Sequence, residues 1–417
     1  MWRRAALIFA VLGPGFVTAS AGNDVGGIAT YSAAGAKFGY STLWTLTALT
    51  LSLIVVQEMA ARMGAVTGHG LAGLIRENFG VRLTFLAMVM LFFINTGIAA
   101  TEFAGIATAS EMFHVTRYVA IPLAMALVFL LVLRLPGSIV QRIFVGFSLI
   151  YLGYAVSAIL AHPDWHAVAR NTFVPTILPD KDFLIACVGI IGTTISPYMQ
   201  FFLQSEICEK RCSPRDLWSI RADVIVGSIL AIVLAGFMII ANAATIYAAA
   251  QHGGRSPIDF DTAQATDFAA ALGPLAGQFA SLLYGIGILN AGLFTACVLP
   301  LATAYIVCEA FGFEASLDRK FREAPIFYTL FAGGIVIGAG LVLLVPFGAL
   351  FKLILYAQVV QGVLLPLELV LMIVIINRRR VMGKYVNSRI ENVLAWGTAI
   401  VIGSLALFYV YQQLAGG

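Results

Sequence analysis

Apolar stretches long enough to cross a bilayer recur along almost the whole chain, and they constrain the fold more than any other feature. A spanning helix needs about 20 mostly apolar residues. Inside lipid every backbone donor and acceptor must be satisfied within the protein, so only helices and closed barrels span. Eleven such stretches can be marked in the 417 residues: about 6–36, 41–63, 83–109, 118–134, 139–161, 183–206, 219–250, 273–311, 326–347, 349–376 and 391–413. They are too long for barrel strands, so the sequence predicts an all-α polytopic membrane protein. Hydrophobic residues make up 60% of the chain and charged ones 11%, against about 25% charged in a soluble domain. The 40 glycines suit close helix packing. A net charge of +4 leaves no basic footprint for nucleic acid. The start, Met1-Trp2-Arg3-Arg4, runs into an apolar stretch with no small-residue cleavage site, so it reads as a retained helix and not a signal peptide.

Two stretches are interrupted. The first holds Gly22-Asn23-Asp24-Val25-Gly26-Gly27. A carboxylate at membrane depth is unfavourable without a partner, and each helical glycine costs about 1 kcal/mol relative to alanine. Three glycines around one acid predict a helix broken at 22–27, with backbone groups turned toward a guest. The sixth stretch holds Gly192-Thr193-Thr194-Ile195-Ser196-Pro197-Tyr198. Pro197 lacks an amide donor and clashes with the preceding turn, which predicts a second break at 192–197. Paired interruptions half a chain apart point to an inverted-repeat transporter with its site at the midplane. Residues 1–162 form the expected first repeat, 163–182 an external linker, 183–377 the second repeat, and 378–417 an eleventh, additional helix.

Lysine and arginine orient this arrangement. With the N-terminus in the cytoplasm, 19 of the 25 fall on the cytoplasmic side and 6 outside, as the positive-inside tendency requires. The C-terminus is then external. Gly68–Gly80 reads as an amphipathic segment along the cytoplasmic interface, and Glu58 beside Arg62 as an ion pair at that end. Asp259, Asp261 and Asp267 lie in an external loop, read as solvated or as a weak vestibule for cations. Arg378-Arg379-Arg380 anchors topology. The five cysteines form no disulfide pattern; Cys208 and Cys212, four apart, do not by themselves close a metal site. No histidine cluster, nucleophile elbow or phosphate loop is present, so an enzyme is not expected.

Leu12-Gly13-Pro14-Gly15-Phe16, Asp24-x-Gly-x-x-Ala-Thr30 and Ala33-Ala-Gly-x-x-Phe-Gly-Tyr40 resemble the first helix of the Nramp divalent metal transporters. Gly189-Ile-Ile-Gly192 with Pro197, Asn242-Ala-Ala, Gln358-Val-Val with Leu365-Pro366, and Met382-Gly-Lys-Tyr-Val-Asn387 extend the resemblance over nearly the whole chain. It implies the leucine-transporter fold, a 5+5 inverted repeat plus one helix, with metal held between the two broken helices. Several positions depart from the family. Its first-helix Asp-Pro-Gly-Asn is Asp24-Val25-Gly26-Gly27 here, and its sixth-helix Met-Pro-His-Asn is Ser196-Pro197-Tyr198-Met199. In the third helix, where it has an Asp and then a Glu, this chain has Glu102 and Gly105, and the ninth stretch lacks the family's arginines. In these departures the chain is most like the Nramp-related magnesium branch.

The resemblance implies a metal site of Asp24, Gly27, Thr193, Ser196 and Gln358, with Glu102, Thr194, Tyr198 and Asn242 in secondary or gating roles. One carboxylate with carbonyls, hydroxyls and retained water suits Mg²⁺ or Mn²⁺, and no thioether is left to favour softer ions. Asp24 could instead only cap a half-helix, and Asn242 only make an interhelical bond. The expected function is import of a divalent cation, Mg²⁺ favoured and Mn²⁺ accepted, by alternating access without proton coupling. One alternative is a proton-coupled Mn²⁺ or Fe²⁺ symporter. Another is an amino-acid or amine carrier of the same fold, although Asp24 would oppose a substrate carboxylate. No cofactor is expected. The expected setting is the lipid bilayer of a prokaryotic inner membrane, with the chain as a monomer.

Overall fold

The computed structural model describes residues 24–135, 137–253, 257–260, 262–315 and 319–415. The motif Leu12–Phe16, Gly22 and Asn23 of the 22–27 break, and Asp261 lie outside the described residues. Ten helical stretches within them are long and apolar enough to cross a membrane, and they coincide with the second to eleventh stretches read from sequence.

The chain enters at α1 (Val25–Phe38), which is followed by α2 (Leu43–Thr67) and the short α3 (Leu71–Phe79). Next come α4 (Val81–Met112), α5 (Arg117–Arg134), α6 (Gly137–Phe147) and α7 (Leu152–Leu160). Between them and the second half lies α8 (Trp165–Phe173), whose cap Asp164 accepts from the His166 and Ala167 amides. The sixth stretch is two helices, α9 (Lys181–Thr194) and α10 (Pro197–Glu209), parted only at Ile195 and Ser196. Pro197 is the first residue of α10, a position whose amide needs no helical partner. Then follow α11 (Leu217–Asn242), α12 (Ala280–Phe311), α13 (Pro325–Leu344), α14 (Leu350–Ile376) and α15 (Arg389–Ala415).

Small residues set how closely these helices approach. A Cβ on Gly192 would stand 1.9 Å from the Gln358 carbonyl oxygen, and one on Gly362 would stand 2.5 Å from that of Val188, so α9 and α14 touch backbone to backbone. On the other flank of the centre, a Cβ on Gly35 would meet the Ile239 carbonyl at 2.3 Å, which seats α1 on α11. The spans therefore converge on α1, α9 and α14.

The two ends of the bundle are closed differently. At the end of α1, Lys37 is ion-paired with Asp182 at the start of α9. Its ammonium lies 4.5 Å from the Phe260 ring centre, and Phe38 meets Phe183 edge-on at 5.2 Å. This latch joins α1 to α9. At the opposite end Glu58 takes Arg62 at 3.0 Å and Arg221 at 2.7 Å, and Arg62 donates to the Asn387 side chain at 2.5 Å. A cavity of about 940 Å³ also lies at this Arg-rich end, where Phe202 and Glu206 of α10 face Tyr305 and Glu309 of α12.

Candidate metal site

Asp24 stands immediately before α1 with extended backbone angles. Its Oδ1 accepts from the Gly27 amide at 2.7 Å, an N-cap bond that satisfies one of the free donors of the first turn. Its Oδ2 is buried and has no hydrogen-bond partner. The capping role and a free ligand oxygen therefore coexist on one side chain. The Asp24 carbonyl, expected to be free for a guest, accepts from the Ile28 amide at 2.9 Å. Gly27 lies inside the first turn of α1 and not in unwound backbone. Asp24 caps α1, which takes these two backbone groups into the helical ladder.

A second carboxylate reaches the same helix end. Glu102 on α4 is fully buried, and its Oε2 accepts from the Val25 amide at 3.3 Å while Thr101 donates to Oε1 at 3.4 Å. The N-terminus of a helix carries partial positive charge, so Asp24 and Glu102 both face the end that favours anions. The C-terminal end of α9, with its partial negative charge, supplies the opposite wall. There Ser196 donates to the Gly192 and Thr193 carbonyls at 3.1 and 3.2 Å, which keeps its hydroxyl turned toward the break. The Thr193 hydroxyl is buried and unpartnered. The Thr194 hydroxyl is 2.9 Å from the Tyr31 hydroxyl on α1.

Gln358 closes the site from α14. A Cβ on Gly26 would fall 1.8 Å from its Nε2, so this amide lies directly over the first turn of α1. Gln361 donates to Gln358 Oε1 at 2.8 Å, leaving Gln358 Nε2 and Gln361 Oε1 without partners. Turning both amides end for end keeps one bond between them and presents Gln358 Oε1 to the site. Oxygen and nitrogen ends are set by such networks, and a bound cation selects the oxygen.

The Asn242 amide donates to the Met238 carbonyl of its own helix at 2.8 Å, so this bond is intrahelical and not interhelical; its Oδ1 has no partner. A π-helical turn, Ala243–Tyr247, follows directly. Tyr198 is buried in an apolar cluster with Ile98, Ala99, Met199 and Leu299. Met199 packs in that cluster too. Of the cysteines, Cys212 lies beyond α10, and burial, reinforced by Asp216, holds its thiol above the ordinary range. That disfavours the thiolate a metal would need.

Tyr31 and Gln361 were not anticipated from sequence. Tyr31 follows Asp24 by seven residues and Gln361 follows Gln358 by three, spacings that share a helix face with each. Among the described residues no group of three or more His, Cys, Asp or Glu side chains could hold a metal. What converges instead is two acids with hydroxyl, amide and carbonyl oxygens, a set suited to hard cations.

Comparison with known proteins agrees with this geometry. The profile of the Natural resistance-associated macrophage protein-like family, Nramp, matches residues 15–412. The chain belongs to the Nramp family. It is 29% identical to the divalent metal cation transporter MntH of Deinococcus radiodurans, covering 98% of this chain and 91% of that one. Its identity to the MntH of Ralstonia nicotianae is 30%, covering 100% and 93%. A crystal structure of the Eremococcus coleocola manganese transporter superposes with a TM-score of 0.74 at 22% identity, over 98% of this chain and 87% of that one. Mhp1, a nucleobase-cation-symport-1 family transporter, superposes with a TM-score of 0.54 at 13% identity, over 96% and 92%. This Nramp protein thus has the leucine-transporter fold that the resemblance implied. It is a multi-pass membrane transporter of divalent metal.

Proposed function

We propose that this Nramp protein imports a divalent cation by alternating access, with Mn²⁺ as an accepted substrate and Mg²⁺ admitted beside it. The observation that carries the reading is the divided role of Asp24, with one oxygen bound to α1 and the other buried and free. Mn²⁺ is supported by the relatives, which are named as divalent metal cation and manganese transporters. Mg²⁺ is supported by the donors at the break, all of them oxygen, with Ser196 at a position where the family has a thioether. The ion would sit between Asp24, Thr193, Ser196 and Gln358, with Glu102 as the second charge.

The Arg-rich end is proposed as cytoplasmic and the Lys37–Asp182 latch as external, with residues 1–162 and 183–377 as the inverted repeats. An inward-moving divalent ion then gains about 2 × 2.3 kcal/mol per 100 mV of membrane potential, enough to drive uptake without a proton. A second reading, proton-coupled Mn²⁺ symport, is favoured by Glu102. Two acids at one buried helix end repel when no metal lies between them, and a proton relieves that repulsion as a cation does.

The test is uptake of Mn²⁺, Mg²⁺, Ca²⁺ and Cd²⁺ into proteoliposomes with a lumenal pH reporter and the potential clamped. Mn²⁺ uptake that Mg²⁺ inhibits at comparable concentration supports the shared site. Indifference to Mg²⁺ removes the magnesium part. Acidification in fixed ratio to metal establishes the symport reading.

A further inference from the structure

Ten residues beyond Gln358 on α14, a further acid is buried in the bundle, and the metal site does not use it. Glu368 is 7% exposed, and neither carboxyl oxygen has a hydrogen-bond partner. It lines an apolar recess of about 40 Å³ walled by Ile75 of α3, by Met90, Leu91 and Ile94 of α4, and by Pro197 and Phe201 of α10.

Among the described residues, the recess wall contains no other titratable side chain, and no charged group interacts with Glu368. On the elements packed around α14, Arg76 and Glu77 of α3 are exposed. Glu58 and Arg62 of α2 pair with each other, and Glu391 of α15 lies near Arg62. Glu206 of α10 takes Lys210, Asp182 of α9 takes Lys37, and Asp24 and Glu102 stand at the break. The recess has room for water, yet it offers a single carboxyl where an ordered water needs two to four polar partners. A divalent cation, which needs about six oxygens, finds one side chain. An ionised carboxylate here would lack donor, cation and solvent, the most unfavourable state for a buried acid.

We propose that Glu368 is a proton-binding site, occupied in this conformation and emptied when α10 and α14 part from α4 and admit water. Pro197, which begins the second half of the interrupted helix, forms part of the wall, so parting of α10 from α4 would expose Glu368 beside the break. Protonation then favours the packed arrangement, and alkaline pH on the Arg-rich side favours the opened one. The site stands on the recess alone and does not depend on which ion is carried.

Infrared spectroscopy of the whole protein in lipid, with ¹³C-labelled glutamate carboxyls, tests it. At pH 7 a protonated glutamate C=O band is expected in the unmodified protein, reduced by one residue's intensity in Glu368→Gln. Glu368→Met, which keeps the volume, serves the same comparison if the glutamine variant yields no folded protein. Glu102→Gln and Glu206→Gln are the controls that separate the other buried glutamates. The band is expected to exchange with D₂O at least tenfold faster while metal is being transported. No protonated band, or one untouched by substitution at 368, overturns the proposal. A band present while neither Mn²⁺ nor Mg²⁺ is transported leaves the proton site standing and removes the transport reading instead.

Discussion

The γ-methyl groups of Val25 lie 2.5 Å from the point where a Cβ on Gly105 would stand. The first residue of α1 therefore occupies the space where the family carries an acid on its third spanning helix. Restoring that acid alone should fail. Gly105→Glu forces overpacking that typically costs about 1–3 kcal/mol and buries a charge as well, so a lowered melting temperature and little uptake are expected. Gly105→Glu with Val25→Gly should recover stability. A single variant as stable as the unmodified protein would show that α1 and α4 are free to part here.

Asp24 is expected to be indispensable for transport but not for folding. Asp24→Ala removes the cap on Gly27, worth about 1 kcal/mol, and the free oxygen. Asp24→Asn keeps an acceptor for the cap. Both should remain monodisperse on size exclusion, and Mn²⁺ uptake should fall to background in both. Uptake by Asp24→Asn at the unmodified rate would show that the charge on this side chain is not what holds the ion.

Ser196 lies with its hydroxyl on the last carbonyls of α9. Ser196→Met frees those carbonyls and adds a soft, polarizable ligand. Binding of Cd²⁺ relative to Mg²⁺ should rise by about tenfold or more, a shift of about 1.4 kcal/mol. Ser196→Cys, a smaller change in a fully buried position, should move selectivity the same way. Isothermal titration with the two ions measures both. Unchanged ratios would mean that residue 196 does not face the ion.

Glu102 should decide how pH bears on transport. Glu102→Gln keeps an acceptor for the Val25 amide and removes the second negative charge. Mn²⁺ affinity is expected to drop several-fold, because one acid then balances the divalent charge, and competition between protons and metal at low pH should weaken. Uptake measured between pH 5.5 and 8 tests this. An identical pH profile in the variant would confine proton competition to Asp24.

The second to eleventh spans and the interruption before Pro197 were legible because their causes are local. Hydropathy over about 20 residues marks a helix in lipid, and Pro197 disturbs the chain where it stands. The ion pair of Glu58 and Arg62 follows from a four-residue spacing in the same way. The clustering of arginine at one end, likewise, needs only the order of segments. The division of Asp24 between cap and free oxygen, the reach of Glu102 across 77 residues to the Val25 amide, and the placing of Gln358 over Gly26 were decided by tertiary structure. So were the pairing of Tyr31 with Thr194 and the isolation of Glu368. Each depends on the crossing angle and rotation of whole helices, which glycine contacts such as Gly192 against the Gln358 carbonyl set to within an ångström. Hydropathy carries no information about that rotation, since a spanning helix is apolar around most of its circumference, and only packing against its neighbours selects the face that turns inward.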